Sequence, residues 1–403
     1  MFNTTPFLRH KKKNINVKSG FTIVELLVVI VVIGILVSIT IVSYTGLTNK
    51  AVGVSLQSDL TNSSDQLKIY KAYNKSFPTS LDGDNCPLTP VKDTGYCFET
   101  SSNNTYTEYT SDGSTFSLVE TNANGTTYGI NDTSTPVALA QPTNCPTGFI
   151  PVPGSATYGQ AGFCVMKYAA SQVGATNVPT SVPSVQPWVN ISQTTAIANS
   201  PNVVGCTGCH LITEPEYMTI AQNVLGVASN WSTGTVGSGW ISSGHNDMAP
   251  YNALVPDPSD ANGNAGETNQ TFAQKRTLTL SNGQVIWDMA GNVLEWTSGT
   301  STTGQPGVAG NAYASQIQWP SVTTHGTLSQ DPFPGTTGIT GSSAWTSTQG
   351  IGQLISNPAE AGLRGFLRGG DWGNGNGNAG VLALNLSSSP SGTLTNIGFR
   401  VSR

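Results

Sequence analysis

Charged side chains are scarce in this chain of 403 residues: Asp, Glu, Lys and Arg together make up 10% of it. Soluble domains usually hold about 25%. The low charge, with 45 Gly and many Ser, Thr and Asn, is typical of an extracellular protein rich in strands and loops. Five of the 17 basic residues precede residue 21, which leaves 12 against 22 acidic residues, a balance of −10. This excess of acidic over basic residues argues against nucleic acid as a partner.

Long apolar runs are also rare, and the one that stands out lies near the N-terminus. Residues 21–42 are apolar except for Glu25 and a few Ser and Thr, and several lysines precede them. A helix of about 20 such residues spans a bilayer, and the lysines place its N-terminal side in the cytoplasm. Length and charge alone allow an ordinary membrane anchor. A carboxylate inside a membrane helix is costly and usually functional, so Glu25 favours a specialised role.

The segment KSGFTIVELLVVIVVIGIL resembles the N-terminus of type IV prepilins and type II secretion pseudopilins. The resemblance implies a leader peptide, residues 1–20, that ends at Gly20 and is removed by a prepilin peptidase before Phe21. It also implies methylation of the new amine and a role for Glu25 in assembly with other pilin subunits. The chain would then be a single-pass membrane protein first and part of an extracellular filament at the cell surface afterwards.

Apolar residues continue at helical spacing beyond the membrane segment, at Val52, Leu56, Leu60, Leu67, Tyr70 and Tyr73. This spacing predicts one assembly helix over residues 21–75, which Pro78 brings to an end. Turn residues then separate short polar strands, which predicts a small β-rich pilin head over residues 76–135. Residues 136–144 have the composition of a linker.

Six cysteines, an even number in an exported chain, predict disulfides. Pairing of sequence neighbours is the simplest of many connectivities and gives Cys86–Cys97, Cys145–Cys164 and Cys206–Cys209. The motif CTGCH, residues 206–210, is also the pattern of a c-type haem attachment site. Because it occurs once, a tight disulfide followed by a histidine is the preferred interpretation.

Residues 145–403 contain blocks that resemble the sulfatase-modifying-factor, or formylglycine-generating-enzyme-like, family, among them WDMAGNVLEW, LRGGDW and the final GFRVSR. The resemblance implies a C-type-lectin-like domain, so the expected class of the whole chain is α+β. The formylglycine-forming members need reactive late cysteines, and this sequence has none after Cys209. We therefore expect no catalytic activity and no required cofactor. Relatives bind structural calcium around GNVLEW, which makes Asn292 and Glu295 candidate ligands.

The last block, residues 364–400, resembles the variable region of proteins diversified by retroelements, in which template adenines are copied with errors. Such copying changes Asn codons to those of other small polar residues, which fill this block around an apolar framework. The expected ligand-binding residues are Asp371, Trp372, Asn374, Asn376, Asn378, Asn385, Ser387 and Ser388. The alternative interpretation is that Gly, Asn and Ser here are ordinary loop composition.

The sequence therefore predicts a minor or tip pilin-like subunit that displays a lectin-fold domain to an unknown surface ligand. Two other classes stay open at this point. One is a surface-anchored enzyme of the modifying-factor family, against which the missing late cysteines argue. The other is a type II secretion pseudopilin whose additional domain serves assembly.

Overall fold

The computed structural model describes residues 23–403 apart from residues 91, 175–176, 247–248, 265, 267–270, 302–313, 320–344, 357–361 and 374–377. A long helix comes first and a β-rich region follows, which confirms the α+β class. The chain divides into two compact units, Met1–Val54 and Ser55–Arg403. The helices are α1 (Ile23–Asn74), α2 (Gln193–Asn199) and α3 (Glu214–Leu225).

In the first unit, the described part of α1 is apolar and exposed. Residues 23–37 all lie at the surface, among them Leu26, Leu27 and Ile30. Among the residues that the structure describes, no helix combines the length and the apolar character that crossing a bilayer requires.

In the second unit, the C-terminal part of α1 supports a small head. Leu60 and Leu67 of α1 are fully buried against Phe116, Leu118 and Ile130 of the sheet. This four-stranded sheet has the order β3-β4-β5-β6, and a two-stranded sheet, β1-β2, lies in the loop before it. The strands are β1 (Ser80–Leu81), β2 (Pro87–Thr89), β3 (Asn104–Ser111), β4 (Phe116–Asn122), β5 (Thr127–Asn131) and β6 (Val137–Ala138).

Strand β6 falls inside residues 136–144, the segment whose composition indicates a linker. It pairs antiparallel with β5, so this segment extends the head's sheet. Beyond it, Gly154 and Gly162 donate backbone hydrogen bonds to Leu139 and Ala138. The division of this unit into a head, a linker and a C-terminal domain stays a prediction.

The C-terminal part holds two larger sheets, ordered β11-β20-β8-β7 and β15-β16-β18-β17-β14-β19, and two further strand pairs, β9-β10 and β12-β13. Short strands fit the many Gly, Pro and Asn, which favour turns over long strands. The strands are β7 (Phe149–Val152), β8 (Phe163–Met166), β9 (Ser171–Gln172), β10 (Pro179–Thr180), β11 (His210–Leu211), β12 (Thr277–Thr279), β13 (Val285–Trp287), β14 (Leu294–Ser301), β15 (Ala314–Ile317), β16 (Leu354–Ser356), β17 (Arg364–Arg368), β18 (Leu384–Asn385), β19 (Ile397–Phe399) and β20 (Val401–Ser402).

Helix α3 has a capped N-terminus that fixes where it begins. The Thr213 hydroxyl accepts from the backbone N–H of Glu216, and the Glu216 carboxylate accepts from that of Thr213. This reciprocal capping box satisfies N–H groups that have no partner within the helix. The apolar face of α3, which includes Tyr217, Ile220 and Val224, lies in the same core cluster as Phe366 of β17.

The six cysteines form three disulfides, Cys86–Cys97, Cys145–Cys164 and Cys206–Cys209. These are the pairs of sequence neighbours. The first closes a loop of the head, whose apolar cluster is small, and cross-links of this kind stabilise domains with thin cores.

Leu67 is fully buried in the apolar cluster that joins α1 to the sheet of the head, so the stability of the head depends on it. We expect Leu67→Ala to lower the free energy of unfolding by about 2–5 kcal/mol, the usual cost of emptying a buried leucine site. Denaturant unfolding of the purified chain measures this. Ile69→Ala, two residues away and 46% exposed, is the matched control and should change it by about 0.5 kcal/mol or less. Equal losses for both variants would contradict the burial of Leu67.

Candidate binding surface

Two buried arginines stand at the ends of the C-terminal block. Arg368 is the last residue of β17 and Arg400 follows β19, and neither is exposed. Arg368 donates from Nε and Nη2 to Glu214 Oε2, at 3.0 and 2.6 Å. Arg400 donates from Nε to Glu295 Oε2 and from Nη2 to Glu295 Oε1, at 2.9 and 2.7 Å. Both ends of the block are therefore fixed by charge-assisted hydrogen bonds to partners outside it.

The same guanidinium groups also bind backbone carbonyls of other strands. Arg400 donates to the carbonyl oxygens of Met166 and Trp287, at 2.8 and 2.7 Å. Met166 ends β8 and Trp287 ends β13, while Glu295 lies on β14. One side chain thus connects three strands of three different sheets. A third buried pair, Arg276 and Asp288, joins the strand regions behind the block at 2.7 Å.

Apolar residues of the block form part of the core. Val381, Leu382, Leu384 and Leu386 are fully buried, as the framework interpretation requires. From Leu384 onward, burial alternates: Asn385 is half-buried, Leu386 is buried and Ser387 is exposed. Alternation of this kind follows from the period of two along an extended segment. The polar side chains are therefore presented on the side away from the core.

The expected contact residues do not all lie at this surface. Trp372 and Asn378 are half-buried, and Ser387 is exposed with Ser388 half-buried beside it. The Asn385 side chain accepts from the backbone N–H and the hydroxyl of Ser387, at 2.8 and 2.6 Å. Asn374 and Asn376 lie outside the described residues.

Asp371 is almost fully buried, unlike the surface position that a contact residue would take. Its Oδ1 accepts from the Gly373 N–H at 2.7 Å, and its Oδ2 accepts from Asn396 Nδ2 at 2.5 Å. Asp371 and Asn396 lie near opposite ends of the block, so their contact closes it as a loop. In the structure Asp371 therefore lies below the surface and holds Gly373 and Asn396 in position through hydrogen bonds.

Segments far away in sequence border the block, and no sequence pattern marked them. Asn190 and Thr194 donate their backbone N–H groups to the carbonyls of Leu394 and Pro390, at 3.1 and 3.3 Å. Leu394 is itself about half exposed, at 53%. The Trp372 N–H binds the carbonyl of Asn292, at 3.2 Å. The surface therefore includes fixed neighbours from the start of α2 and from the turn before β14.

Asn292 and Glu295 do not fit a calcium site. Both Glu295 oxygens accept from Arg400, and a guanidinium would repel a cation placed beside it. The Asn292 Oδ1 accepts from the backbone N–H of Leu254 at 2.7 Å, and its Nδ2 donates to Leu254 O and to Asp288. Calcium needs free oxygen lone pairs. In this structure the oxygens of these two residues are engaged by protein donors.

The CTGCH segment is a disulfide loop in the structure. Thioether attachment of haem would need both sulfurs, which Cys206 and Cys209 share with each other. His210 Nε2 lies 3.1 Å from Glu216, whose carboxylate raises the pKa of the histidine to about 8. The Ser402 hydroxyl approaches the same ring nitrogen and donates to Glu216. In a Ser–His–acid triad the acid and the serine use different ring nitrogens, so this arrangement is no triad.

Of the residues that the prepilin resemblance singles out, Gly20 and Phe21 lie outside the described residues. Glu25 lies in the first turn of α1. An acidic side chain is favourable at this position, because the N-terminus of a helix carries partial positive charge.

The N-terminal segment matches a known sequence motif, and two groups of proteins are similar to parts of the chain. Residues 15–41 match the prokaryotic N-terminal methylation motif. Type II secretion system core protein G of Dickeya chrysanthemi is 35% identical over 81 residues, which are 19% of this chain and 53% of that protein. The chain thus spans about half the length of this relative.

Two solved structures align with larger parts of the chain. The alignment with the Major Tropism Determinant I1 variant covers 66% of this chain and 55% of that protein, with 15% identity and a TM-score of 0.27. The alignment with Treponema denticola variable protein 1 covers 75% of this chain and 99% of that protein, with 12% identity and a TM-score of 0.28. Scores this low carry no argument about fold or function.

The Arg368–Glu214 pair yields a prediction about stability. We expect Arg368→Met to lower the free energy of unfolding by about 3–5 kcal/mol, because it leaves the Glu214 carboxylate buried without its partner. Thermal or denaturant unfolding measures this.

Two further variants sharpen that experiment. The double variant Arg368→Met with Glu214→Leu should recover part of the loss, since it leaves no buried charge. Arg403→Met changes an exposed arginine only three residues from the paired Arg400, and it should alter stability by about 0.5 kcal/mol or less. A loss in the Arg368 variant no larger than in this control would contradict the role of the pair.

Proposed function

We propose that this chain is a minor or tip pilin-like subunit that displays its C-terminal region at the cell surface for adhesion or target recognition. The methylation motif supports processing by a prepilin peptidase and passage through the cytoplasmic membrane. It also supports assembly with other pilin subunits through the N-terminal helix. The C-terminal region would have the C-type-lectin-like fold that the sequence blocks imply, and its block would be varied by a retroelement.

The fixed frame of the block is the observation that carries the proposal. Arg368 and Arg400 hold its ends through glutamates that lie outside it. Leu384 and Leu386 hold its middle in the core, whereas Ser387 and neighbouring polar residues face outward. Exposed polar side chains on such a frame can change without loss of the fold. Recognition surfaces that vary in sequence need this property.

The chemistry of the block indicates what kind of target it would bind. Asp371 is the one charged residue between Arg368 and Arg400 in the sequence, and its carboxylate is buried and hydrogen-bonded within the block. What the block offers to a partner is therefore amides, hydroxyls and two partly exposed apolar side chains, Leu394 and Trp372. Such a surface recognises an uncharged polar target through hydrogen bonds and apolar contact.

A type II secretion pseudopilin with an additional domain is the second candidate. The partial identity with a type II secretion core protein favours it. Deletion of the gene separates the two: a block in protein secretion with unchanged adhesion supports the pseudopilin, and the reverse supports the adhesin. An active modifying-factor-like enzyme is not proposed, because no observation favours it.

Exposed residues of the block should be needed for binding and dispensable for folding. We expect the triple variant Ser387→Ala, Thr393→Ala and Thr395→Ala to reduce adhesion of expressing cells to their target at least about tenfold, since several polar contacts are lost together. Its free energy of unfolding should change by about 0.5 kcal/mol or less, because all three side chains are exposed. Cell-adhesion counts and thermal unfolding give the two readouts.

The matched control is the triple variant Thr105→Ala, Thr107→Ala and Thr110→Ala, which removes three exposed hydroxyls from β3 of the head. It should leave adhesion unchanged. Adhesion of the unaltered chain should also be insensitive to added salt, because screening weakens only interactions between charges. Equal loss of adhesion in both triple variants would refute a binding role for the block.

Diversification makes a separate prediction at the level of the gene. We expect a near-copy of codons 364–400 close to the gene, with differences almost only at adenines, and a reverse transcriptase beside it. Sequencing of the flanking DNA and of many individual clones tests this. An invariant block without a second copy would mean a fixed ligand or a structural role, even if the adhesion results hold.

A further inference from the structure

A polar layer lies between helix α1 and the sheet of the head, beside the apolar cluster that contains Leu60 and Leu118. Asp59 extends from α1 and Glu120 from β4. Tyr106, which lies opposite Glu120 in the register of β3 and β4, places its hydroxyl 3.5 Å from the Asp59 carbonyl oxygen, and the two carboxyl groups lie within hydrogen-bonding reach of each other. Both side chains are buried, Glu120 completely. Two carboxylates this close cannot both ionise away from water without a large cost in free energy.

Asp59 is the member of the pair that receives hydrogen bonds. The Ser101 N–H, the Ser101 hydroxyl and Asn104 Nδ2 all donate to its carboxylate, each at 2.8 Å. The orientation of the Asn104 side-chain amide is fixed through Asn122. The Asn124 N–H donates to Asn122 Oδ1, so Asn122 Nδ2 donates to Asn104 Oδ1. Asn104 Nδ2 is therefore the group that faces Asp59. Burial raises the pKa of Asp59, but these hydrogen bonds outweigh it and leave the pKa below its ordinary value.

Glu120 has the opposite surroundings. Neither of its oxygens accepts a hydrogen bond from a donor in the part of the chain that the structure describes. The titratable groups that face it are Asp59 on α1, Tyr106 on β3 and Tyr128 on β5. Among the described residues, no Lys, Arg or His is paired with Glu120. Burial, and then the charge of Asp59, raise the pKa of Glu120 to about 8.

We propose that Asp59 and Glu120 hold one proton between them, that this proton joins helix α1 to the sheet of the head, and that its loss at alkaline pH loosens this contact. The protonated Glu120 donates its O–H to the ionised Asp59. When hydroxide or a buffer base removes the proton, two negative charges face each other across the interface between helix and sheet. The pair is thus a pH-sensitive attachment of the head to its helix.

A metal ion is a poorer occupant of this position than a proton. Calcium and magnesium bind oxygen lone pairs, whereas Ser101 and Asn104 turn hydrogens toward Asp59. These groups favour an anion at Asp59. The Glu120 carboxyl group then lacks a hydrogen bond from the described residues, and one proton satisfies it.

Unfolding of the full chain as a function of pH tests the proposal. The folded state keeps a proton that Glu120 releases on unfolding, so this stabilisation is complete below the ordinary pKa of about 4.5 and is lost as the pH rises to about 8. Within that window the unfolding equilibrium constant should rise about tenfold per pH unit. Glu120→Gln stays uncharged and keeps an N–H that can donate to Asp59, so this slope should disappear. In amide hydrogen exchange, after division by the base-catalysed intrinsic rate, the protection of the β4 amides should fall as the pH rises in the unaltered chain and stay constant in the variant.

Glu108→Gln is the matched control, because Glu108 lies on the neighbouring strand β3 with an exposed side chain. It should keep the slope of the unaltered chain. If Glu120→Gln does not fold, Asp59→Asn gives a second measurement: without the facing charge, the same slope should end at a lower pH. A slope that survives in Glu120→Gln would overturn the proposal. So would a stabilisation by Ca²⁺ at alkaline pH that Glu120→Gln abolishes, since the pair would then be a cation site.

Discussion

The pairing of buried arginines with buried glutamates is the constraint on which the C-terminal region depends. Arg368 and Arg400 bound the last block, and Glu214 and Glu295 hold them from α3 and β14. An arginine that moved away from its glutamate would leave a charge buried without a partner, at a cost of several kcal/mol. Each pair therefore permits little displacement. Glu214 and Glu295 lie outside the block, so changes confined to the residues between Arg368 and Arg400 leave both pairs in place.

The residues between Arg368 and Arg400 differ in how well they tolerate substitution, because some are buried in the core and others are exposed. Leu384 and Leu386 are needed in the core, so polar residues there would leave a cavity or an unsatisfied group. Ser387 makes no such contribution, and most small polar residues fit in its place. Asp371 is the exception among the polar residues, because its carboxylate joins both ends of the block through Asn396. Variation at Asp371 would change the surface indirectly, through its shape.

Local sequence pattern predicted the features that depend on neighbours along the chain. Helical spacing and Pro78 predicted a helix to about residue 75, and α1 ends at Asn74. Pattern could not find the partners of the arginines, because Glu214 lies 154 residues before Arg368 and no spacing marks it. For the same reason, composition placed Asp371 among the exposed residues, although a contact 25 residues away keeps it buried. Residues whose role is set by distant contacts need the fold before they can be assigned.

Buried charge is neutralised in two different ways in this molecule, and the two respond differently to pH. At the two ends of the block, Glu214 and Glu295 each face an arginine, which stays protonated at any pH that the protein would meet. In the head, Glu120 faces Asp59, and among the described residues no basic side chain is paired with it. In this pair one of the two carboxyl groups must carry a proton to avoid two facing negative charges, and base can remove that proton. On the proposed sharing of this proton, a rise in pH acts on the contact between helix α1 and the sheet of the head, whereas the pairs of Arg368 with Glu214 and of Arg400 with Glu295 keep their charges.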